Sequence, residues 1–198
     1  MQTIVLASNN KGKLAEFQAL FDQANLGITI IPQGELGITD ADEIGWSFIE
    51  NAIIKARHAS AASGLPALAD DSGLCVPVLG NMPGINSARY AGVHGDDQAN
   101  NAKLLTELAP LRGDTPIIGK FVCVLALVQH ADDPLPIIAQ GEWAGEILDT
   151  TRGENGFGYD PLFYVPSLDK SSAELEKEAK NSLSHRGQAL KVLINQLK

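Results

Sequence analysis

Short apolar runs of strand length alternate along this chain with segments whose apolar residues return at helical spacing, and that alternation restricts it to an α/β fold. "TIVLA" (Thr3 to Ala7) gives way to the polar "SNNKGK", after which Leu14, Phe17 and Phe21 recur on one helical face. "ITII" (Ile28 to Ile31), stopped by Pro32, reads as a second strand. The clearest helix is "WSFIENAIIKARHASAASG". Ser47 and Glu50 form an S-x-x-E capping box there, Trp46 is placed to staple the first turn, and Gly64 ends the helix. Its predicted apolar face uses Ile49, Ile53 and Ala56, so Lys55 points elsewhere. "LCVPVL" reads as another strand, "GNMPGINSARYAG" as a structured loop, and Asp97 to Leu108 as a helix. The apolar run Phe121 to Val128, a turn at His130 to Pro136 and "IIAQGEWAGEI" read as antiparallel strands. Two helical patterns, Ser172 to Lys180 and Gln188 to Leu197, close the chain around "NSLSHRG". These elements predict a mixed sheet with helices, and no Pro/Ser-rich linker marks a domain boundary.

A chain of 198 residues with 44% hydrophobic content can bury one sizeable core, so residues 1–198 are expected to form a single domain, with room for two lobes. The net charge is −9 and no block of basic residues occurs, which argues against a groove for DNA or RNA phosphates. A small anionic ligand stays open, because a few converging cations and a metal suffice for it. The longest apolar run is far too short to cross a bilayer, and "MQTIVLASNN" does not read as a signal peptide. Cys75 and Cys123 lie in apolar strand-like runs with no C-x-x-C pattern, and are expected to be core residues in a reducing cytoplasm.

The stretch "GLPALADDSGLC" raises a physical question. An apolar run, Leu65 to Ala69, ends on Asp70 and Asp71, and two adjacent carboxylates cannot both stay ionised in a low-dielectric site unless a cation holds them. Neighbouring strand residues also face opposite ways, so the two acids are expected to do different jobs. Either the pair closes the strand in an Asx turn, with Gly73 easing it, or it supplies a Mg²⁺ ligand or general base at the carboxyl end of a strand. Upstream, Asp40, Asp42 and Glu43 form an acidic loop that is solvated decoration or the second half of a carboxylate pair.

Two further segments offer ligand chemistry. In "ASNNKGKL" a strand runs through a polar loop into a helix, presenting backbone N–H groups and a positive dipole end to an anion. It is not a Walker A loop, since Ala7 replaces the first glycine and Leu14 the final hydroxyl. "NGFGYDP" and "SHRGQAL" combine the ring faces of Phe157 and Tyr159, the acceptor Asp160, and the donors of His185 and Arg186. Aromatic faces with fixed donors suit a nucleobase, although an aromatic core corner and a decorated helix start explain the same residues.

Taken in order, "SNNKGK", "FIENAIIKA", "ADDSGL", "PGINSARYAG", "GFGYDPLF" and "SHRGQAL" resemble the inosine triphosphate pyrophosphatase family, with its bacterial dITP/XTP pyrophosphatases, from about Thr3 to Leu190. The resemblance implies an elongated, two-lobed α/β subunit with a central mixed twisted sheet flanked by helices and the active site in a cleft between lobes. It implies a homodimer and Mg²⁺-dependent hydrolysis of non-standard purine nucleoside triphosphates (ITP, dITP, XTP) to the monophosphate and pyrophosphate. Carried over by position, Ser8, Asn9, Asn10, Lys11, Gly12 and Lys13 become the phosphate loop, Lys55 a phosphate-binding lysine, and Ser72 a substrate contact. Glu43 and Asp71 become the metal ligands, with Asp71 also the catalytic acid–base residue. Phe157, Gly158, Tyr159, Asp160, Lys180, His185 and Arg186 become the base pocket. "SNN" stands where many relatives have T-G-N or T-S-N, and Tyr159 where some have Trp.

Overall fold

The computed structural model describes residues 2–198. Strands β1 (Gln2–Leu6), β2 (Ile28–Pro32), β3 (Ala67–Val76), β4 (Met82–Pro83), β5 (Ile118–Val128), β6 (Ile137–Ile147), β7 (Phe163–Val165) and β8 (Lys170–Ser171) form one sheet. Its order is β2-β1-β3-β5-β6-β7-β8, with β4 beside β3. The sheet is mixed: β1 runs parallel to β2 and β3, while β7 is antiparallel to β6 and β8. Five helices accompany it: α1 (Lys11–Gln23), α2 (Phe48–Ser63), α3 (Asp97–Leu108), α4 (Lys177–Leu183) and α5 (His185–Leu197). The expected α/β class with a mixed sheet is what the chain adopts.

The chain divides into two compact units. Unit 1 comprises residues 1–71, 123–141 and 188–198; unit 2 comprises residues 72–122 and 142–187. Strands β3, β5 and β6 each have residues in both. In unit 1, Ile4 and Leu6 of β1, Ile28 and Ile30 of β2 and Leu68 of β3 pack with Phe17 and Phe21 of α1 and with Leu190 and Leu193 of α5. Phe17 and Phe21, one helical turn apart, meet edge to face at 6.5 Å. Unit 2 has its own core, in which Phe121, Trp143 and Phe163 pack with Leu104 and Leu108 of α3. Cys75 and Cys123 are buried free thiols, as expected of core residues.

Three local expectations are corrected. The strand does not stop at the Asp pair. β3 runs through Asp70, Asp71, Ser72 and Gly73 to Val76, so "LCVPVL" is its second half followed by a 3₁₀ turn at Pro77–Leu79, and no Asx turn forms. Pairing with β1 at Ala67 and Leu68 and with β4 at Cys75 and Val76, with β5 as its other neighbour in the sheet, keeps β3 extended where local turn propensity would bend it. Trp46 staples nothing, being 91% exposed, and Ile49 is 42% exposed. α2 buries the small residues Asn51, Ala52, Ala56, Ala59 and Ser60 instead. Ser47 does cap α2, its Oγ accepting from Glu50 N at 3.2 Å, but the reciprocal half of the expected capping box is shifted by one residue, the Glu50 carboxylate accepting from Trp46 N at 2.9 Å instead of the Ser47 N–H. At the end of the chain, Ser171 and Glu174 cap a 3₁₀ turn at Ser172–Glu174, α4 follows from Lys177, and α5 starts at His185, three residues before the predicted position. Gly187 permits this, because a methyl there would run into the Asn181 carbonyl oxygen.

Leu68 is fully buried between the β1 and α5 side chains of the unit 1 core. Leu68→Ala should lower unfolding free energy by about 3 kcal/mol in denaturant titration, within the range for a large-to-small core change; a loss below about 1 kcal/mol would mean that the site collapses around the gap.

Candidate active site

In the extended β3 backbone, Asp70 and Asp71 project to opposite faces, and each meets a different lysine. Asp70 is the more enclosed, with its side chain 1% exposed, and Lys13 Nζ of α1 lies 2.9 Å from both of its carboxylate oxygens. Asp71 Oδ1 accepts from Lys55 Nζ at 3.0 Å, and the same ammonium donates to Glu43 Oε1 at 2.8 Å. One cation of α2 therefore joins the β3 acid to the acid of the loop preceding α2. Both pairs lie within unit 1.

The charges do not balance around Lys55: two carboxylates share a single ammonium. Burial pushes the Asp71 carboxyl up, Lys55 pulls it back, and Glu43 adds to the upward shift, leaving it at about 6. For Lys55, burial works against the charged form, but Asp71, then Asp70 and Glu43, outweigh it and raise its pKa. Asp71 Oδ2 is buried and has no hydrogen-bond partner. An oxygen in that state, beside a second carboxylate and in a site short of positive charge, fits a hard divalent cation. Mg²⁺ is commonly held by one or two carboxylates, with substrate phosphates and water completing its shell. No group of three or more His, Cys, Asp or Glu side chains suited to a metal occurs among the described residues, so Glu43 and Asp71 would be the protein's share of such a site.

The phosphate-loop residues connect β1 to α1, but several of their amides are already engaged. Asn10 caps α1, its Oδ1 accepting from Gly12 N at 2.9 Å and Lys13 N at 3.0 Å. Ser8 Oγ accepts from Asn10 N at 3.2 Å, and Asn9 Oδ1 accepts from Gly34 N at 2.7 Å. The expectation of a cradle of open N–H groups is thus corrected for Asn10, Gly12 and Lys13, because side chains of the loop satisfy them. Lys11 is exposed.

In unit 2, the Gly156–Asp160 loop is fastened from several sides. Asp160 Oδ2 accepts from Phe157 N at 2.8 Å and pairs with Lys180 Nζ, while its Oδ1 accepts from Ser172 Oγ at 2.8 Å. Gly158, at φ +61°, donates its N–H to Asp97 Oδ2 at 2.6 Å and accepts at its carbonyl from Asn101 Nδ2 at 2.8 Å. These anchors leave Phe157 63% exposed, with Lys180 Nζ 5.0 Å from its ring centroid. Tyr159 does not offer a face: it is 3% exposed, sits in the unit 2 core, and donates its hydroxyl to Ser87 O at 2.9 Å. The ring available for stacking is Phe157. His185 stacks on Phe121 at 4.9 Å, and the buried Arg186 places Nη2 3.5 Å from Ser72 Oγ. Sequence reasoning missed Asn51, Asp97, Asn101 and Ser172. The i, i+4 spacing of Asp97 and Asn101 was visible, but nothing local said what they would grip.

The family model for the Ham1 family matches residues 4–196. This chain belongs to the Ham1 family. It is 69% identical over 191 residues to the dITP/XTP pyrophosphatase of Acinetobacter baumannii, a match covering 96% of this chain and 92% of that protein. Its fold is similar to that of a HAM1 protein from Coxiella burnetii, with TM-score 0.94 at 50% identity over 100% of this chain and 98% of that one. A nucleoside-triphosphatase / dITP/XTP pyrophosphatase structure from Mycobacterium abscessus matches with TM-score 0.80 at 38% identity over the full length of both chains.

An acid whose folded pKa is raised stabilises the fold fully below its unfolded pKa and loses that contribution as pH climbs through the folded one. For Asp71 this window runs from 3.8 to about 6, worth about 3 kcal/mol at most. Asp71→Asn carries no such penalty. Without metal or nucleotide, its unfolding free energy should exceed that of the parent by a margin that opens between pH 4 and 7. A margin that stays flat across that range would mean the carboxyl is not destabilised by its surroundings.

Proposed function

We propose that this protein is a Mg²⁺-dependent hydrolase that cleaves non-standard purine nucleoside triphosphates (ITP, dITP and XTP) to the monophosphate and pyrophosphate, by water attack on the α-phosphorus. The observation that carries this reading is Lys55 bridging Asp71 and Glu43, in a family whose relatives include enzymes named dITP/XTP pyrophosphatase. Glu43 and Asp71 hold the metal, which when bound neutralises charge on the phosphate oxygens. Without metal the Asp71 carboxyl sits at about 6, so it is ionised at neutral pH and ready to take up the cation, and in the reaction it orients the attacking water and accepts its proton. Lys55 exchanges a share of its carboxylate contacts for phosphate oxygens. Lys13, braced by Asp70, adds a second positive charge, and the Ser8–Lys11 and Gly12 backbone borders the phosphate chain. The work is positioning and electrostatics rather than covalent chemistry.

Selectivity follows from donors and acceptors. Phe157 stacks on the purine, with Gly158 giving the ring close approach and Asp160 and Lys180 holding the loop. Tyr159 supports this platform from the core. His185, Arg186 and Ser72 complete the base and ribose contacts. A pocket of donors meets the C6 oxygen of hypoxanthine or xanthine but opposes the amino group of adenine, a mismatch that can reach about 10⁴-fold in polar sites. Guanine shares that oxygen, so Arg186 rejects it through its C2 amino group, whereas it donates a hydrogen bond to the C2 oxygen of xanthine. The same reading includes a homodimer acting in the cytoplasm, where removal of deaminated purine triphosphates protects DNA and RNA synthesis. No helix among the described residues is long and apolar enough to cross a membrane.

A panel of ITP, dITP, XTP, ATP and GTP with Mg²⁺ tests the reading. Pyrophosphate should appear with the first three, and Asp71→Asn should lower kcat by about 10³-fold while staying folded. Orthophosphate release would identify a γ-phosphatase, and binding without turnover a nucleotide sensor; either result contradicts the proposal. Arg186→Ala should bring XTP and GTP turnover closer together by about tenfold, and an unchanged ratio would remove Arg186 from the C2 filter.

A further inference from the structure

Asn51 is an unusual residue to find fully buried in a helix. Asparagine competes with helical backbone hydrogen bonding, and a buried amide needs partners for both ends. It stands in the first turns of α2, four residues before Lys55, so both side chains lie on one face of the helix. Its Oδ1 accepts from Gly45 N at 2.8 Å. The approach is close enough that a Cβ on Gly45 would lie 2.7 Å from that oxygen and 2.7 Å from Glu50 Cβ. Gly45 is two residues beyond Glu43, so Asn51 ties down the loop that carries one carboxylate.

The other end of the amide is different. Asn51 Nδ2 is buried and makes no hydrogen bond, and the same is true of Asp71 Oδ2. Flipping the amide does not relieve this, because it would set an N–H against the Gly45 N–H. Lys55, on the same helix face, already fixes Asp71 Oδ1.

We propose that Asn51 is a positioning residue that sets the spacing and orientation of the two carboxylates, holding the Glu43 loop through Gly45 with its oxygen and confining Asp71 from the Oδ2 side with its nitrogen. The Asn51 side chain reaches the Asp71 carboxyl on its donor side, but short of a hydrogen bond of ordinary geometry. The inference rests on the proposed reaction for its catalytic consequence, but not for its effect on the carboxylate pair.

Two variants separate the two ends of the amide. Asn51→Asp keeps an acceptor for Gly45 and removes the donor; Asn51→Leu matches the shape and removes both. Both are measured for thermal midpoint and for kcat and KM with dITP, and Asn51→Leu also for Mn²⁺ binding by electron paramagnetic resonance without nucleotide. We expect kcat to fall about tenfold or more in Asn51→Asp and further in Asn51→Leu, with KM within about threefold. Mn²⁺ should bind Asn51→Leu about tenfold more weakly, and midpoints should stay near the parent value. The proposal is overturned if folded Asn51→Asp keeps kcat within twofold, if only KM changes, or if lost activity merely follows a lowered midpoint. It is also overturned if Mn²⁺ affinity of Asn51→Leu is unchanged. If Asn51→Leu does not fold, the kinetics of Asn51→Asp decide. If the parent protein does not turn over dITP, the functional reading fails on its own, and the Mn²⁺ comparison still decides the role of Asn51.

Discussion

The site in unit 1 depends on one ammonium group shared by two carboxylates. Lys55 draws Asp71 from the sheet and Glu43 from the loop into contact with a single positive charge, at 3.0 and 2.8 Å. One positive charge against two negative ones leaves the cluster anionic, and burial makes that imbalance expensive. The imbalance shows in a carboxyl lifted to about 6 and an oxygen with no partner. Lys13 meets Asp70 on the opposite face of the strand, and Asp70 also acts on Lys55 through space. Adjacent acids are tolerated because alternation sends them to separate cations.

This arrangement joins stability to function. The imbalance that suits the proposed metal site also makes the cluster a poor contributor to folding at neutral pH, so the surrounding scaffold must hold it. The fully buried Leu68 two residues before Asp70, the parallel pairing of β3 with β1, and the capped start of α2 supply that support. In unit 2 the logic is mechanical. Asp97, Asn101, Asp160 and Lys180 hold one glycine-rich loop so that its aromatic residue stays presented to solvent despite the hydrophobic effect.

Much of this was legible in the sequence, for identifiable reasons. The alternation of period-2 and period-3.6 segments specified the α/β class, and the Ser47–Glu50 signal specified the start of α2, because both are local. The division of labour between Asp70 and Asp71 was readable from strand geometry alone. Which lysine each would meet was not, since Lys13 and Lys55 are 57 and 16 residues away from their partners. The continuation of β3 past the acids was also hidden, because its place in the sheet between β1, β4 and β5 overrides the turn propensity of Asp-Asp-Ser-Gly. Tyr159 looked like Phe157 in sequence, and only tertiary packing separates the buried ring from the exposed one.

In the proposed reaction the Asp71 cluster delivers water to the α-phosphorus. Hydrolysis of dITP in ¹⁸O-water, followed by mass spectrometry of both products, tests it most directly. Attack at the α-phosphorus puts the heavy oxygen in the nucleoside monophosphate and none in pyrophosphate. Label in pyrophosphate or in orthophosphate would show attack at a different phosphorus and contradict it.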